Sequence, residues 1–360
     1  MPAVLSLPEV ARMRAANQLL GVADPGTAED TARWMLALQA QDFAGARWAL
    51  ALRGRSGETV ADIHAALDGA RIVRSWPLRG TLQITAAEDL RLLLAVSAER
   101  TIRATRTRRA QLGLEAEDLM HAEALALRLL ADRRPMQRTQ LMAAFDADGL
   151  DTSGQRGSHL LLHLALTRVV CFGPLEGRQH TVVLLDDWVP GPDPDRSGAL
   201  RVLAPRYFTS HGPASVGDLA WWAGITTTEA AAATAEAAGG LIPLAGESGE
   251  LWVGRGSAAV DPVALHVVPG EAVRLLPAFD ELLLGYADRS ASLAPEHAER
   301  VSPGGNGLFR PVLARAGRVL GTWRAVRRRG GFTVTSEPFD PDSPVDADAD
   351  ARAFAAFSAP

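Results

Sequence analysis

Lysine is absent from all 360 residues, so each of the 37 basic side chains is an arginine. Without a lysine amine, no side chain is available to form an imine intermediate. Cysteine is nearly as scarce. Cys171 stands alone in the apolar run Leu166 to Phe172, which excludes an intrachain disulfide and a cysteine-based zinc site and suits a buried thiol better than a nucleophile. No stretch of about 18 residues is apolar and free of charge, so a membrane-spanning helix is not expected. The first residues also lack the basic-then-apolar pattern of a secretory leader, and a cytoplasmic protein is expected.

What is present is globular: 47% of residues are hydrophobic and 22% charged, enough for two or three domains with their own cores. The net charge of −5 is unevenly placed. Glu337, Asp340, Asp342, Asp346, Asp348 and Asp350 face only Arg352 in the last stretch, which leaves the rest of the chain formally neutral and marks 337–360 as a disordered acidic tail. Arginine is locally dense at Arg100, Arg103, Arg106, Arg108 and Arg109, and again at Arg324, Arg327, Arg328 and Arg329. Such density suits contact with an anion, although a solvated face is the ordinary explanation.

The periodicity predicts an α+β chain in which one pattern, three helices and a two-stranded hairpin, occurs three times. In the first unit (1–115) helices are expected at Pro8 to Leu20, from Thr27 or Asp30 through Leu38, and at Val60 to Leu67. The segment 72–84 follows, its second half alternating so that Arg79, Thr81 and Gln83 share a strand face. In the second unit (116–190) helices over 121–130, 139–145 and 158–166 precede a hairpin from Val169 to Leu185, turning at Gly173 to Gly177. The third (196–268) has the turn His211-Gly212-Pro213-Ala214, Ser215 as an N-cap, helices over 216–223 and from Thr228, and a hairpin over 241–253. This is the winged helix-turn-helix pattern in tandem. Past Pro269, short strands predict a small β-rich cap (269–336), its central pair turning at Ala316-Gly317.

Among candidate chemical groups, Gln39-Ala40-Gln41 is the most informative. Two amides spaced i, i+2 point about 200° apart on a helix, so they can face one ligand only where the helix stops and the backbone extends. Asp42 beside them is a possible general base. Asp280 and Glu281 resemble a catalytic pair but suit buried structural hydrogen bonds better. His159 and His163 have helical metal-ligand spacing without a third ligand nearby, and no metal is expected. His211 suits a turn, with a phosphate contact as the functional alternative. Trp221-Trp222 suits core filling.

Several motifs in order carry a resemblance to a known family. Arg79-Gly80-Thr81-Leu82, the run Phe208 to Ala214, Leu219-Ala220-Trp221-Trp222, the run Leu276 to Glu281, and Phe309-Arg310-Pro311-Val312 followed by Gly321-Thr322-Trp323 resemble the winged-helix DNA glycosylases of the AlkZ type. The resemblance spans about residues 7–335. It implies removal of bulky N7-alkylated purines and unhooking of interstrand crosslinks, with a Gln-x-Gln motif that falls on Gln39 and Gln41 doing the chemistry. A sister branch carries Asp at the second position, so this chain groups with the Gln-x-Gln branch.

That chemistry is sensible on physical grounds. A neutral amide is a poor base, but an N7-alkylguanine is a cation that leaves as a neutral base, so positioning and electrostatics can replace much acid–base help. The expected enzyme is monofunctional, with no cofactor, no metal and no lyase step. Its expected partner is double-stranded DNA carrying N7-alkylguanine or an interstrand crosslink, bound by a monomer at the nucleoid. The expected DNA contacts are Arg79, Thr81, Arg103, Arg106, Arg109, His211, Arg324 and Arg327, and the segment from Leu308 to Arg324 is the candidate for probing the minor groove. A transcription factor is the leading alternative and a protein-binding repeat scaffold the next. Against the transcription factor, the helix over 158–166 is too apolar to read bases in a major groove.

Overall fold

Thr27, Thr59, Ser215 and Thr226 each cap a helix and exchange hydrogen bonds with an acid three residues on (Asp30, Asp62, Asp218 and Glu229), so helix starts are encoded locally. The computed structural model describes residues 4–21, 26–258, 272–305, 307–328, 331–342 and 345–358. It begins with strand β1 (Val4–Leu5) and helix α1 (Leu7–Asn17). Next come α2 (Ala28–Met35), β2 (Leu38–Gln39), α3 (Phe43–Arg53), α4 (Val60–Asp68), β3 (Ile72–Leu78) and β4 (Thr81–Ala86), then the long α5 (Ala87–Ala104) and α6 (Arg106–Gln111). The middle holds α7 (Ala116–Leu129), β5 (Met136–Gln137), α8 (Arg138–Ala147), α9 (Arg156–Leu166), β6 (Val170–Glu176), β7 (Gln179–Leu184) and α10 (Leu185–Trp188). It is followed by α11 (Arg196–His211), α12 (Val216–Ala223), α13 (Thr227–Glu236), β8 (Leu241–Gly246) and β9 (Gly249–Gly254). Strands β10 (Val273–Leu276), β11 (Val312–Arg315), β12 (Arg318–Arg328) and β13 (Gly331–Pro338) and a helix over Asp348–Phe357 complete the described chain.

Three small sheets share one plan. Their orders are β2-β4-β3, β5-β7-β6 and β1-β8-β9, and in the last an isolated bridge from Ala214 to Trp252 occupies the place that β2 and β5 hold in the others. Strand β1 adds to β8 in parallel, Val4 opposite Ala245. The fourth sheet is an antiparallel meander, β10-β11-β12-β13.

The structure corrects several expectations. Helix α1 serves more than the first unit: Arg14 donates to the Pro213 and Asp288 carbonyls and Asn17 to that of Gly212, while Trp34 donates to the Asn17 carbonyl, so it joins the first unit to the third and to the meander region. The first unit also uses α3, which begins at Phe43, where a helix end had been expected. The segment 72–84 is two strands, because Arg79 and Gly80 both take positive φ (52° and 68°) and turn the chain; Arg79 therefore sits at a turn and not on a face shared with Thr81 and Gln83. The second hairpin turns at Gly177-Arg178, between β6 and β7. The long basic hairpin is β12 with β13, whereas Leu308 lies outside it.

The acidic stretch is also not disordered along its length. Asp348 and Asp350 occupy the first turn of the last helix, where the dipole favours acids. Phe354 and Phe357, three apart on one face, lie 5.3 and 5.5 Å from the ring of Trp48. Phe354 also meets Trp323 at 5.1 Å, so this helix closes the core formed by α1, α3 and the meander. A second core joins α5, α11, α12 and α13 around Tyr207, Phe208 and Trp222, and a third lies within the middle unit.

Candidate active site

Helix α2 stops at Met35 because Leu36 turns the backbone (φ 65°, ψ −53°), with the Ala37 N–H bonded to the Met35 carbonyl at 2.7 Å. This is a strained γ-turn for a leucine. It is held in place by Thr85, whose hydroxyl donates to the Leu36 carbonyl at 2.6 Å. The chain then extends. Gln39 lies opposite Gln83 in the β2–β4 ladder, Ala40 N–H donates to the Leu82 carbonyl at 2.7 Å, and Asp42 caps α3 by accepting from Ala44 N–H. The two glutamines thus stand two apart on extended backbone between helices, the geometry in which they can share a side.

The surroundings fix this segment from three directions. Glu281, fully buried, accepts from the Gln39 N–H at 3.3 Å and from the Trp222 indole at 3.0 Å. Arg74 donates twice to the carbonyl of Ala40, at 3.1 and 2.7 Å. Gln41, exposed, accepts from Leu82 N–H through its amide oxygen at 3.3 Å. The Oε1 of Gln39 is buried and finds no hydrogen-bond partner among the described residues. Gln39 lines a cleft of about 630 Å³ shared by the first unit (Arg79), the third (Trp221) and the meander region (Phe279, Arg289, Phe309). Its aromatics, Trp221, Phe279 and Phe309, come from distant sequence. Arg79 and Arg289 lie 4.6 and 5.0 Å from the Trp221 ring.

The other expected residues scatter. Arg79 is drawn inward, donating to the Trp222 carbonyl and stacking on Trp221, with burial depressing its pKa, so it joins two units and does not present its charge outward. Thr81 is half-buried, bonded to the Leu78 carbonyl and Gln83. Arg103 and Arg106 are exposed, Arg103 paired with Glu99 at 2.7 Å, but Arg109 is buried and bonded to Thr105. His211 is fully buried against Tyr207 and Ser210, its pKa lowered by burial, and cannot reach a phosphate. Arg324, 3.6 Å from Glu337, and Arg327 are exposed on β12; Arg329 lies outside the described residues. Asp280 forms a two-bond pair with Arg53 at 2.8 and 2.7 Å, a structural role. Among the described residues no three His, Cys, Asp or Glu side chains gather as a metal site, and no helix is long and apolar enough to cross a membrane. Trp222 fills the core, whereas Trp221 is only half-buried.

Residues 32–359 match the family described as DNA glycosylase AlkZ-like. The chain belongs to this family. It is also 26% identical to the interstrand DNA cross-link repair glycosylase of Streptomyces sahachiroi over 361 residues, covering 94% of this chain and 92% of that one. The solved structure of the DNA glycosylase AlkZ from the same organism superposes with a TM-score of 0.81 at 23% identity, over 99% of this chain and 97% of that one, so the mixed helix and small-sheet fold is shared. As a member of the AlkZ-like glycosylases, the chain is a DNA glycosylase and not a transcription factor. Missed by sequence reasoning were Glu281 as the support of Gln39 and Arg74 as the support of Ala40. For Arg74 a signal existed: a charge between Val73 and Ser75 in an apolar strand.

Proposed function

We propose that this chain hydrolyses the N-glycosidic bond of bulky N7-alkylated purines and unhooks interstrand crosslinks in duplex DNA, with Gln39 and Gln41 as the groups at the reacting sugar. The observation that carries the proposal is Gln39 on extended backbone at an open cleft, its side-chain Oε1 buried and unpaired among the described residues, with Gln41 two residues on in the same extended segment. An unmet buried acceptor costs about 1–3 kcal/mol, which a bound water or a developing oxocarbenium sugar would offset. N7 alkylation makes the base a cationic leaving group, so the amides need only hold water beneath C1′ and stabilise positive charge. A normal, neutral purine is then nearly inert. Asp42 contributes as the cap of α3 and is not needed as a base.

In this proposal the three repeated units are winged helices and the chain acts as a monomer on nucleoid DNA. The β12–β13 hairpin with Arg324 and Arg327 probes the minor groove, and Arg103 and Arg106 add outer phosphate contacts. Because the cleft is open and the arginines Arg79 and Arg289 already stack on Trp221, the adducted base need not rotate fully out of the duplex, which a crosslinked base could not do. No metal enters, and no lyase step follows because lysine is absent. The test is incubation with N7-methylguanine DNA and with a crosslinked duplex, scoring free base, abasic sites and released strands. Gln39→Ala and Gln41→Ala should each slow excision tenfold or more, about 1.4 kcal/mol of barrier, while the variants remain folded. Wild-type rates in both variants would remove the pair from the mechanism.

A further inference from the structure

On the other side of the Gln-Ala-Gln segment, around the ring of Phe43, positive charge accumulates with no carboxylate in ion-pair contact, although Asp42 and Asp146 line the adjoining clefts. The Arg47 guanidinium lies 4.8 Å from the ring centroid and that of Arg74 5.2 Å. His180 meets the same ring edge-on at 4.5 Å, and Arg47 is bonded to His64 at 2.8 Å. Arg178, at the tip of the β6–β7 turn, projects into two adjoining clefts of about 640 and 700 Å³ that share Phe43 and Arg178. The first contains Arg47 and Arg327, and the second Arg74.

None of Arg47, Arg74 and Arg178 has a carboxylate within 4 Å among the described residues, whereas Arg53, Arg103 and Arg324 all do. Arg47 Nε is buried without a partner. Asp42, the nearest acid in sequence, is occupied at the start of α3. Burial lowers the pKa of Arg47, and the charge of Arg178 lowers it further despite the opposing pull of Asp42. Burial, then Arg74, drives His180 down to about 4, so it is neutral at physiological pH. Arg47 and Arg74 are half-buried and Arg178 is exposed; like charges gathered without a carboxylate are relieved when an anion arrives to neutralise them, and arginine forks match phosphate oxygens in pairs.

We propose that Arg47, Arg74 and Arg178 form a phosphate-binding site for the DNA backbone, seating one phosphodiester beside the nucleotide that faces Gln39 and Gln41. The assignment of the anion to the substrate strand rests on the glycosylase proposal above. It is supported by Arg74, whose two bonds to the Ala40 carbonyl tie this site to the backbone between the glutamines. A phosphate drawn to the cluster thereby registers the strand against the reacting amides.

The experiment uses the full chain and a duplex carrying one abasic-site analogue, with each phosphate near the analogue replaced in turn by a neutral methylphosphonate. Wild type should lose affinity by about tenfold at one position. Arg47→Met with Arg178→Ala should lose a similar amount on the unmodified duplex, become indifferent to that methylphosphonate, and bind with a salt slope lower by about one. Arg178→Ala alone, an exposed turn substitution that leaves the core untouched, should show half of the change in slope. A variant that keeps the wild-type affinity, slope and methylphosphonate pattern overturns the site. Excision is scored separately on N7-methylguanine DNA. If wild type fails to excise while the methylphosphonate pattern stands, the glycosylase proposal falls and the phosphate site does not.

Discussion

Changing Asp280 to alanine strands a guanidinium in the interior. The side chains of Arg53 and Asp280 are 0% and 1% exposed, and the two bonds between them are 2.8 and 2.7 Å. Arg53 would stay in place, because its Nε still donates to the Gln18 carbonyl and its other nitrogens reach Ala49 and Gln18. It would keep its charge and lose its counter-ion. Removing one partner of a buried pair costs about 3–5 kcal/mol. Asp280 also caps the short helix Glu281–Leu284 by accepting from Leu282 N–H at 2.9 Å, worth about 1 kcal/mol more. The expected loss is about 4–6 kcal/mol, a large share of the 5–15 kcal/mol typical of a folded protein. In urea, with a slope of about 3 kcal/mol per M, the tryptophan-fluorescence midpoint should fall by roughly 1.3–2 M. Arg53→Met with Asp280→Leu removes both charges and should recover most of the loss. Because Glu281, the next residue, holds the Gln39 N–H, excision by Asp280→Ala should also slow at temperatures where it is folded. A loss below about 1 kcal/mol for Asp280→Ala would refute the reasoning.

Asp42→Ala should cost about 1 kcal/mol of stability by uncapping α3 and slow excision less than Gln41→Ala; a larger rate loss than that variant shows would return the base to Asp42. Ending the chain before Asp346 uncovers the rings of Trp48 and Trp323, so tryptophan emission should shift red and the melting temperature drop; an unchanged spectrum would mean the last helix does not dock. Burial, reinforced by Arg74, holds the His180 pKa near 4, against about 6.5 when unfolded. The unfolded chain then takes up a proton that the folded one refuses, so stability is complete above about pH 6.5 and falls towards pH 4, by up to about 3 kcal/mol. His180→Gln should flatten that part of the profile, as read from urea midpoints across the range, and an unchanged slope would show that the ring is not held neutral.

Where local signals determine structure, the sequence was legible. Ser215 announces α12 to the residue, and the turn at Ala316-Gly317 falls between the strands it joins. Where tertiary contacts decide, it was not. Met35 to Leu38 continues an apolar helical pattern, and only the γ-turn held by Thr85, 49 residues on, ends the helix before Gln39. The last helix was obscured by its acids, although Phe354 and Phe357 at helical spacing were visible. Charge density in the sequence points to Arg103 and Arg106, which are exposed, but it could not reveal Arg47, Arg74 and Arg178, which stand singly on separate elements and meet only after folding. His211 looked accessible because its turn motif says nothing about the stacking on Tyr207 that buries it.

The placement of α1 bears on how the chain is made. Arg14 finds the Pro213 carbonyl 199 residues later, and Gln18 finds that of Glu281 263 residues later. At about 5–20 residues per second of translation, the amino-terminal helix waits roughly 10–50 seconds for its partners. Throughout that interval Val10 and Ala11 lack Leu251 and Ala291, the residues they cluster with in the fold. The middle unit, with a core drawn from its own residues, can consolidate while the ribosome is still at work. The frame around Gln39 cannot: Glu281, which grips its backbone, is among the later residues to emerge. The backbone support of Gln39 is thus completed only when residues near 281 have left the ribosome.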